Sequence, residues 1–358
     1  MAVDKKSIIA AVAVMNPVDM RGVSLAFPVE FTHDAQKVTF DRYEAGSEIA
    51  LKGSFLSESN VVQKDGYETV TVNPMQVNES IVDSPANFSK KRIGETEYGT
   101  PAGLSDADRM TIENEMMGFG KLKLRGERLK KLSAYQVLVT GKVTVSKNGV
   151  ATDEIDYGLT DIVTNTGTTG AIALWTSADA YPVDQLINES VAKGKYAYDT
   201  VILGVDAEAA FSANPNVRTT DDTTAGKMKN FEPATDAAAN AKSTDTLIFL
   251  GTTVGKKRID VYVELDQYNN GSSDVYYMSE KYAVCFKRGS QMNGQIQYGA
   301  IPVAEKRGTD SEIVSVQAKE WMDSEVKKDP AGIKRYYRTS PLPTMNVPKA
   351  FKSIKTVA

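Results

Sequence analysis

The sequence predicts an α+β protein dominated by strands, and three observations carry that prediction. Apolar and polar residues alternate with period two through most of the first third of the 358-residue chain, and strand signals return after residue 246. One segment, 106–134, departs from that pattern and carries apolar residues at helical spacing. Asp65-Gly66 and Asn148-Gly149 sit between strand-like runs, where a two-residue turn needs positive φ at both positions.

The elements follow in order. Residues 8–15 are an apolar run after Lys5 and Lys6, far shorter than the ~20 residues of a membrane span, and read as an amphipathic or buried N-terminal arm. Alternation runs through KVTFDRY and EIALKGSFL. The stretch NVVQKDGYETVTVN reads as a hairpin, with Val61 and Val62 joined to Val70 and Val72 across Asp65-Gly66. This ribbon has little apolar bulk for its length and needs something else to lie against.

The long helix starts after the N-cap candidate Ser105, with acids at its beginning and Lys121 to Lys131 loading its basic end, which complements the helix dipole. Gly118, Gly120 and Gly126 weaken its interior and permit a bend or a close approach. From Tyr135 the pattern reads strand, turn at Asn148-Gly149, strand. A short helix fits YPVDQLINESVAKG, with Pro182 first and Val183, Leu186, Ile187 and Val191 on one face. DTVILGVDAEAAFSAN reads as a buried strand and a helix capped by Asp206. Residues 212–246, poor in large apolar groups, read as an insertion or long exposed loop. Strands follow at TLIFLG, RIDVYVELDQY and DVYYMSEKYAVCFKRG, and the tail is β-prone and punctuated by proline.

Composition removes much chemistry. One histidine, His33, and one cysteine, Cys285, exclude an intrachain disulfide and a Cys/His zinc site. A triad mechanism would have to use His33, which sits in FTHDAQKV, a poor place for a base. GTTVGKK is not a Walker A loop: Gly251 and Gly255 are one residue too close, Lys257 stands where Ser or Thr is required, and a strand follows. Asp153, Glu154 and Asp156 lack the glycine and terminal glutamate of a calcium loop and read as a solvated strand end. A net charge of −4 gives no basic footprint for nucleic acid over the whole chain. No catalytic, cofactor or metal residues are assigned, and a structural or binding role is favoured over an enzyme.

The order of features resembles the major capsid protein E family of lambda-type tailed phages, whose members have the Hong Kong 97-type capsid fold. AQKVTFDRYEAGSEIALKGSF and VVQKDGYETVTVNPMQVNESI look like the strands of that family's E-loop. The helix running into LVTGKVTV looks like its spine helix, and TVILGVDAEAAFSAN like a later strand–helix step. In the tail, Trp321, Asp329, Pro330, Ala331, Ser340 and Leu342 match the family in order, with Pro341 following Ser340 one residue early.

The resemblance implies an N-terminal arm at 1–36, an extended E-loop β-hairpin at 37–98, and a P domain with its long spine helix at 99–180. An A domain at 181–304 and a return to the P domain at 305–358 complete the plan. It implies a major capsid protein that self-assembles into hexamers and pentamers of an icosahedral shell around packaged double-stranded DNA. The alternatives are a nanocompartment shell holding protein cargo, or another phage structural protein. Implied partners are other copies of the chain, a separate scaffold protein, a portal, a decoration protein, and DNA contacted weakly and non-specifically, with no membrane and no cofactor. Its implied place is the virion capsid, assembled in the bacterial host cytoplasm. The assembly residues are those of the E-loop tip, Lys64, Asp65, Gly66 and Tyr67. Lys52 and Lys64 are E-loop lysines, but no cross-link is assigned, since nothing picks out a partner.

Overall fold

The computed structural model describes residues 18–43, 67–83, 106–147, 150–167, 172–217, 230–289, 294–307, 310–328 and 331–358. A seven-stranded mixed sheet organises its centre, in the order Ile162–Thr164, Phe351–Lys355, Tyr282–Phe286, Thr200–Leu203, Asp260–Glu264, Leu247–Thr253 and Phe231–Pro233. Its middle strands are near-continuous apolar runs because both faces are covered. Val201, Leu203, Val261, Ala283, Cys285 and Ile354 face one apolar cluster, which also takes Val183, Leu186, Ile187, Ala207 and Phe211 from two short helices. The alternate residues Ile202, Tyr262, Val284, Phe286 and Phe351 face the other cluster, with Ala134, Tyr135, Val137 and Leu138 of the long helix.

Five helices are described: α1 (Arg21–Ala26), α2 (Asp106–Thr140), α3 (Pro182–Ala192), α4 (Val205–Ala213) and α5 (Asp236–Lys242). α2 runs six residues past the predicted end at Ala134. Tyr135, Val137 and Val139 favour strands, yet Tyr135, Val137 and Leu138 are at most 1 % exposed, and packing against the sheet overrides propensity. The helix stops at Gly141, whose φ of +70° suits only glycine and whose N–H donates to Val137 O at 2.8 Å. The strand predicted from Tyr135 therefore begins at Lys142, and its hairpin pairs Lys147 with Val150 across two residues, as Asn148-Gly149 predicts.

The close approach expected of the α2 glycines occurs. A Cβ on Gly126 would lie 2.5 Å from the Tyr337 ring, and one on Gly118 would lie 3.0 Å from Arg335 Cδ. These glycines let the three-stranded sheet of Glu320–Lys328, Ala331–Thr339 and Val77–Asp83 lie directly on the helix, sealed by Val77, Leu122 and Tyr337. A second three-stranded sheet joins Val29–Thr32, Gly294–Tyr298 and Pro341–Met345.

Three other readings change. Residues 230–246 are not a loop: Phe231–Pro233 extends the large sheet and α5 follows, capped by Thr235, whose hydroxyl accepts from Ala238 N. One buried aromatic, Phe231, seated edge-on against Phe211 at 5.3 Å, supplies what the composition hid. Asp206 lies in the first turn of α4 rather than at its N-cap, which is Gly204, because a Cβ there would meet Ser279 O at 2.2 Å. Val191 is 49 % exposed, and the buried position beside it is Ser190, whose hydroxyl donates to Tyr198 O at 2.7 Å. The strand Tyr67–Val72 pairs antiparallel with Val38–Tyr43, Tyr67 opposite Tyr43, and the turn at Asp65-Gly66 with Val61 and Val62 lies outside the described residues.

Candidate assembly surfaces

The described residues offer little that resembles a reaction centre. His33 Nε2 meets Gln297 Oε1 at 3.0 Å in a half-buried packing position. Cys285 is buried, and its burial pushes the thiol up to about 12, so it is unreactive at neutral pH. Glu154 and Asp156 pair with Lys142 at 2.7 and 3.4 Å on an exposed hairpin. No group of three or more His, Cys, Asp or Glu is placed to hold a metal among the described residues. Gly251 lies within the strand Leu247–Thr253, at a register shift opposite Val261, and Gly255 in its antiparallel connection to Asp260–Glu264, the hairpin that the failed Walker match predicts.

The densest charged cluster ties elements together. Lys131 of α2 is fully buried, 3.1 Å from Glu264 Oε1 and 2.7 Å from Asp266 Oδ2. The Tyr135 hydroxyl donates to Glu264 Oε2 at 2.5 Å. Burial raises the Glu264 carboxyl above its ordinary range, against the pull of Lys131. Burial, then the Glu264 charge, hold the Tyr135 phenol well above its ordinary range. Nothing in this cluster opens to a substrate; it bolts the long helix to the sheet.

What the molecule presents outward is strands. The hairpin Ile301–Arg307 with Asp310–Val316 forms its own two-stranded sheet, and Ile313 is 76 % exposed on it. The hairpin Glu320–Lys328 with Ala331–Thr339 carries Val326, 75 % exposed, opposite Ile333. The neighbouring Val82 is half exposed. The ribbon of Val38–Tyr43 and Tyr67–Val72 buries its foot through Val38 and through Phe40, which packs on Tyr157 at 5.7 Å. Beyond Phe40 its polar pairs face outward: Thr69 Oγ1 donates to Asp41 and Arg42 pairs with Glu68. Of the predicted tip residues, Lys64, Asp65 and Gly66 lie outside the described residues, and Tyr67 opens the second strand of this ribbon. Between α2 and the small hairpin at 267–276 lies an open groove of about 970 Å³, floored by Leu124, Leu129 and Leu132 and rimmed by Lys121, Arg125 and Arg128. Two-stranded ribbons and open strand edges are marginal in isolation and prone to pair with other chains. A monomer carrying so many is built to be covered.

The model of the family described as phage major capsid protein E matches residues 4–356. The chain belongs to that family. It is a shell-forming capsid protein with the Hong Kong 97-type fold. A protein assigned as the capsid protein of an E. coli CFT073 prophage shares 16 % identity at a TM-score of 0.65, with all of both chains covered. A phage-related protein of Bordetella bronchiseptica RB50 shares 9 % identity at a TM-score of 0.52, covering 99 % of this chain and 97 % of that one. No curated protein matches the capsid protein by sequence. The exposed Ile313 and Val326 were missed by sequence reasoning. Their signal is small: Ile313 stands beside Val314 in SEIVSV with no clean alternation, and Val326 is a single β-branched residue among Glu, Ser and Lys in SEVKK.

Proposed function

We propose that this capsid protein forms hexamers and pentamers of an icosahedral shell enclosing packaged double-stranded DNA. The observation that carries the reading is the set of polar-faced ribbons and hairpins with exposed Ile313, Val326 and Val82, which no core among the described residues covers. Head-to-tail contacts of such strands close rings when the rotation repeats, and obligate assemblies bury several thousand Å². In this reading residues 1–36 are an arm and 37–98 an E-loop whose tip, Lys64 to Tyr67, lies on the next subunit. Residues 99–180 and 305–358 form the P domain around α2, and 181–304 the A domain. A separate scaffold protein, a portal and a decoration protein are the further partners, DNA is held weakly, and assembly takes place in the host cytoplasm. The protein has no catalytic role in this reading. No described helix is long and apolar enough to cross a membrane.

The test is electron microscopy with sedimentation on the full chain and on a chain lacking Lys64 to Tyr67. The full chain is expected to give closed shells or capsomer rings. The deletion is expected to give a folded subunit that assembles poorly. A full chain that stays monomeric at high concentration, with and without a scaffold, would sink the shell reading; normal shells from the deletion would remove the tip from it. Shells filled with protein and free of DNA in the producing cell would point to a cargo compartment.

A further inference from the structure

At one end of the seven-stranded sheet, four segments carry cations. Register places them side by side: Thr200 pairs with Asp260 and with Phe286, Asp260 with Thr252, and Phe286 with Phe351. The segments before Thr200 and Asp260, after Thr253 and Phe286, and before Phe351 therefore share one edge. They bring Lys193 and Lys195, then Lys256, Lys257 and Arg258, then Lys287 and Arg288, and Lys349. Hydrogen bonds stitch the edge together. Arg288 N donates to Asp199 Oδ1 at 2.8 Å, and Lys193 Nζ donates to Lys349 O at 2.8 Å.

Three carboxylates at this edge are engaged, while Glu232, opposite Thr252, is exposed. Asp260, 9 % exposed, takes Lys242 at 2.8 Å and Arg288 at 3.2 Å. Asp161 takes Lys193 and Lys352, and Asp199 accepts from Arg288 N and Thr200 Oγ1. Lys256, Lys257, Arg258 and Lys287 enter no ion pair among the described residues. Lys256, Arg258, Lys287 and Arg288 are all exposed. The opposite end of the same strands mixes both signs, with Asp206, Glu264, Asp266 and Glu280 beside Lys131, Lys281 and Lys355. In a chain of net charge −4 the edge at Lys256, Arg258 and Lys287 is the more cationic of the two ends.

We infer that this edge is a contact surface for the phosphate backbone of double-stranded nucleic acid, an inference that rests on the reading of the chain as a DNA-enclosing shell protein. Two arguments favour phosphate over the acidic end of another copy. Contacts between copies are apolar at their centres and poor in lysine, and no exposed large apolar side chain lies in the turns 193–197, 254–258 or 287–289. The edge also has useful length. From the strand at 351–355 to that at 247–253 there are four strand spacings, about 19 Å. A duplex presents about eleven phosphate charges over that distance. The contact is to backbone, so it carries no sequence preference.

The test compares three full-length chains as unassembled subunits: wild type, an edge variant (Lys256→Gln, Arg258→Gln, Lys287→Gln) and a control (Lys37→Gln, Lys327→Gln, Lys334→Gln) of equal net charge. Affinity for a short mixed-sequence duplex is measured across a salt series, and shell formation is scored separately by microscopy. The edge variant is expected to form shells, to bind duplex at least about tenfold more weakly at low salt, and to lose about 2.7 from its log–log salt slope, at 0.9 per phosphate contact. The control is expected to keep both affinity and slope. Unchanged duplex binding by the edge variant overturns the inference while leaving the shell reading intact. Equal losses in edge variant and control overturn it in favour of net charge alone. Lost shells with unchanged duplex binding assign the edge to a contact between copies.

Discussion

The inner half of this molecule and its outer hairpins solve the same problem in opposite ways. The seven-stranded sheet is covered on both faces, by α3 and α4 on one side and by the C-terminal half of α2 on the other, and Val201, Ile202, Leu203 and Phe351 show no measurable exposure. The hairpins at 301–316 and 320–339 have comparable hydrogen-bond ladders but leave Ile313 and Val326 three-quarters exposed. One region completes its burial within the chain; the other leaves apolar side chains exposed, the ones the proposed shell would cover. The difference teaches that stability of the subunit and competence to assemble reside in separate residues, and substitutions can pull them apart.

The largest expected effect falls at the bolt of the inner half. Lys131→Ala removes the cation between the buried Glu264 and the partly exposed Asp266. The unfolding free energy of the unassembled subunit should drop by about 3 kcal/mol, at the low end for a broken buried pair because Glu264 can take up a proton instead. Chemical denaturation measures this, and a loss below about 1 kcal/mol would mean that the helix is held by apolar packing alone. Gly126→Val comes next, at the seam between the two regions. Its side chain would enter the space of the Tyr337 ring, which is 3 % exposed and has nowhere to go. A loss of about 1–3 kcal/mol is expected, despite better helix propensity than glycine. A stabilised variant would show that the sheet at 320–339 can slide off the helix without cost.

The regions also differ in the sign of their response to pH. Glu264 has its carboxyl raised, chiefly by burial, so the folded chain holds more protons than the unfolded one above the ordinary value of 4.5. Stability falls as pH rises through that window. Glu30 anchors the outer segment through Lys319 at 2.5 Å and Lys130 at 3.4 Å. Burial raises its carboxyl, but the hydrogen bond from Lys319 and the charge of Lys130 outweigh that and hold it below 4.5. Its contribution is complete above 4.5 and is lost as pH falls below that value. Glu264→Gln should therefore gain on the wild type as pH rises, and Glu30→Gln should lose ground. Melting curves of the three chains between about pH 2 and 8 decide it: curves parallel above 4.5 would contradict the Glu264 assignment, and curves parallel below 4.5 the Glu30 assignment.

Legibility in the sequence followed the same division. The inner half was readable because continuous apolar runs such as TVILG admit few alternatives, and because Pro182 fixes a helix start. It failed where tertiary packing outvoted local preference, as at Tyr135 to Thr140, whose β-prone residues lie in α2. It failed again at 230–246, where a single Phe231 supplies the burial that composition averages conceal. The capsid family was legible only through likeness, in the order of the strands and the tail motif. Asp65-Gly66 marks a turn by its chemistry and lies outside the described residues, whereas the pairing of Tyr67–Val72 with the strand at 38–43 is not written in turn residues. An exposed residue such as Val326 leaves no periodic signal, because it has no apolar neighbours at strand spacing in SEVKK.

The smallest expected effect on the subunit is the one that separates the regions most cleanly. Ile313→Ser and Val326→Ser each remove a side chain that is already three-quarters in water, so each should change subunit stability by no more than about 0.5 kcal/mol. Serine also has lower strand preference, which sets the direction of that small change. In the shell the same side chains would be desolvated against a neighbour, where each buried apolar group contributes roughly 1.5–3 kcal/mol, repeated at every copy. The double variant should therefore melt like the wild type as a subunit and require a markedly higher protein concentration to form shells by light scattering. Equal assembly thresholds would show that these hairpins point away from their neighbours. A matched fall in subunit melting temperature would show that Ile313 and Val326 belong to the inner half after all, and the division between the two regions would have to be redrawn.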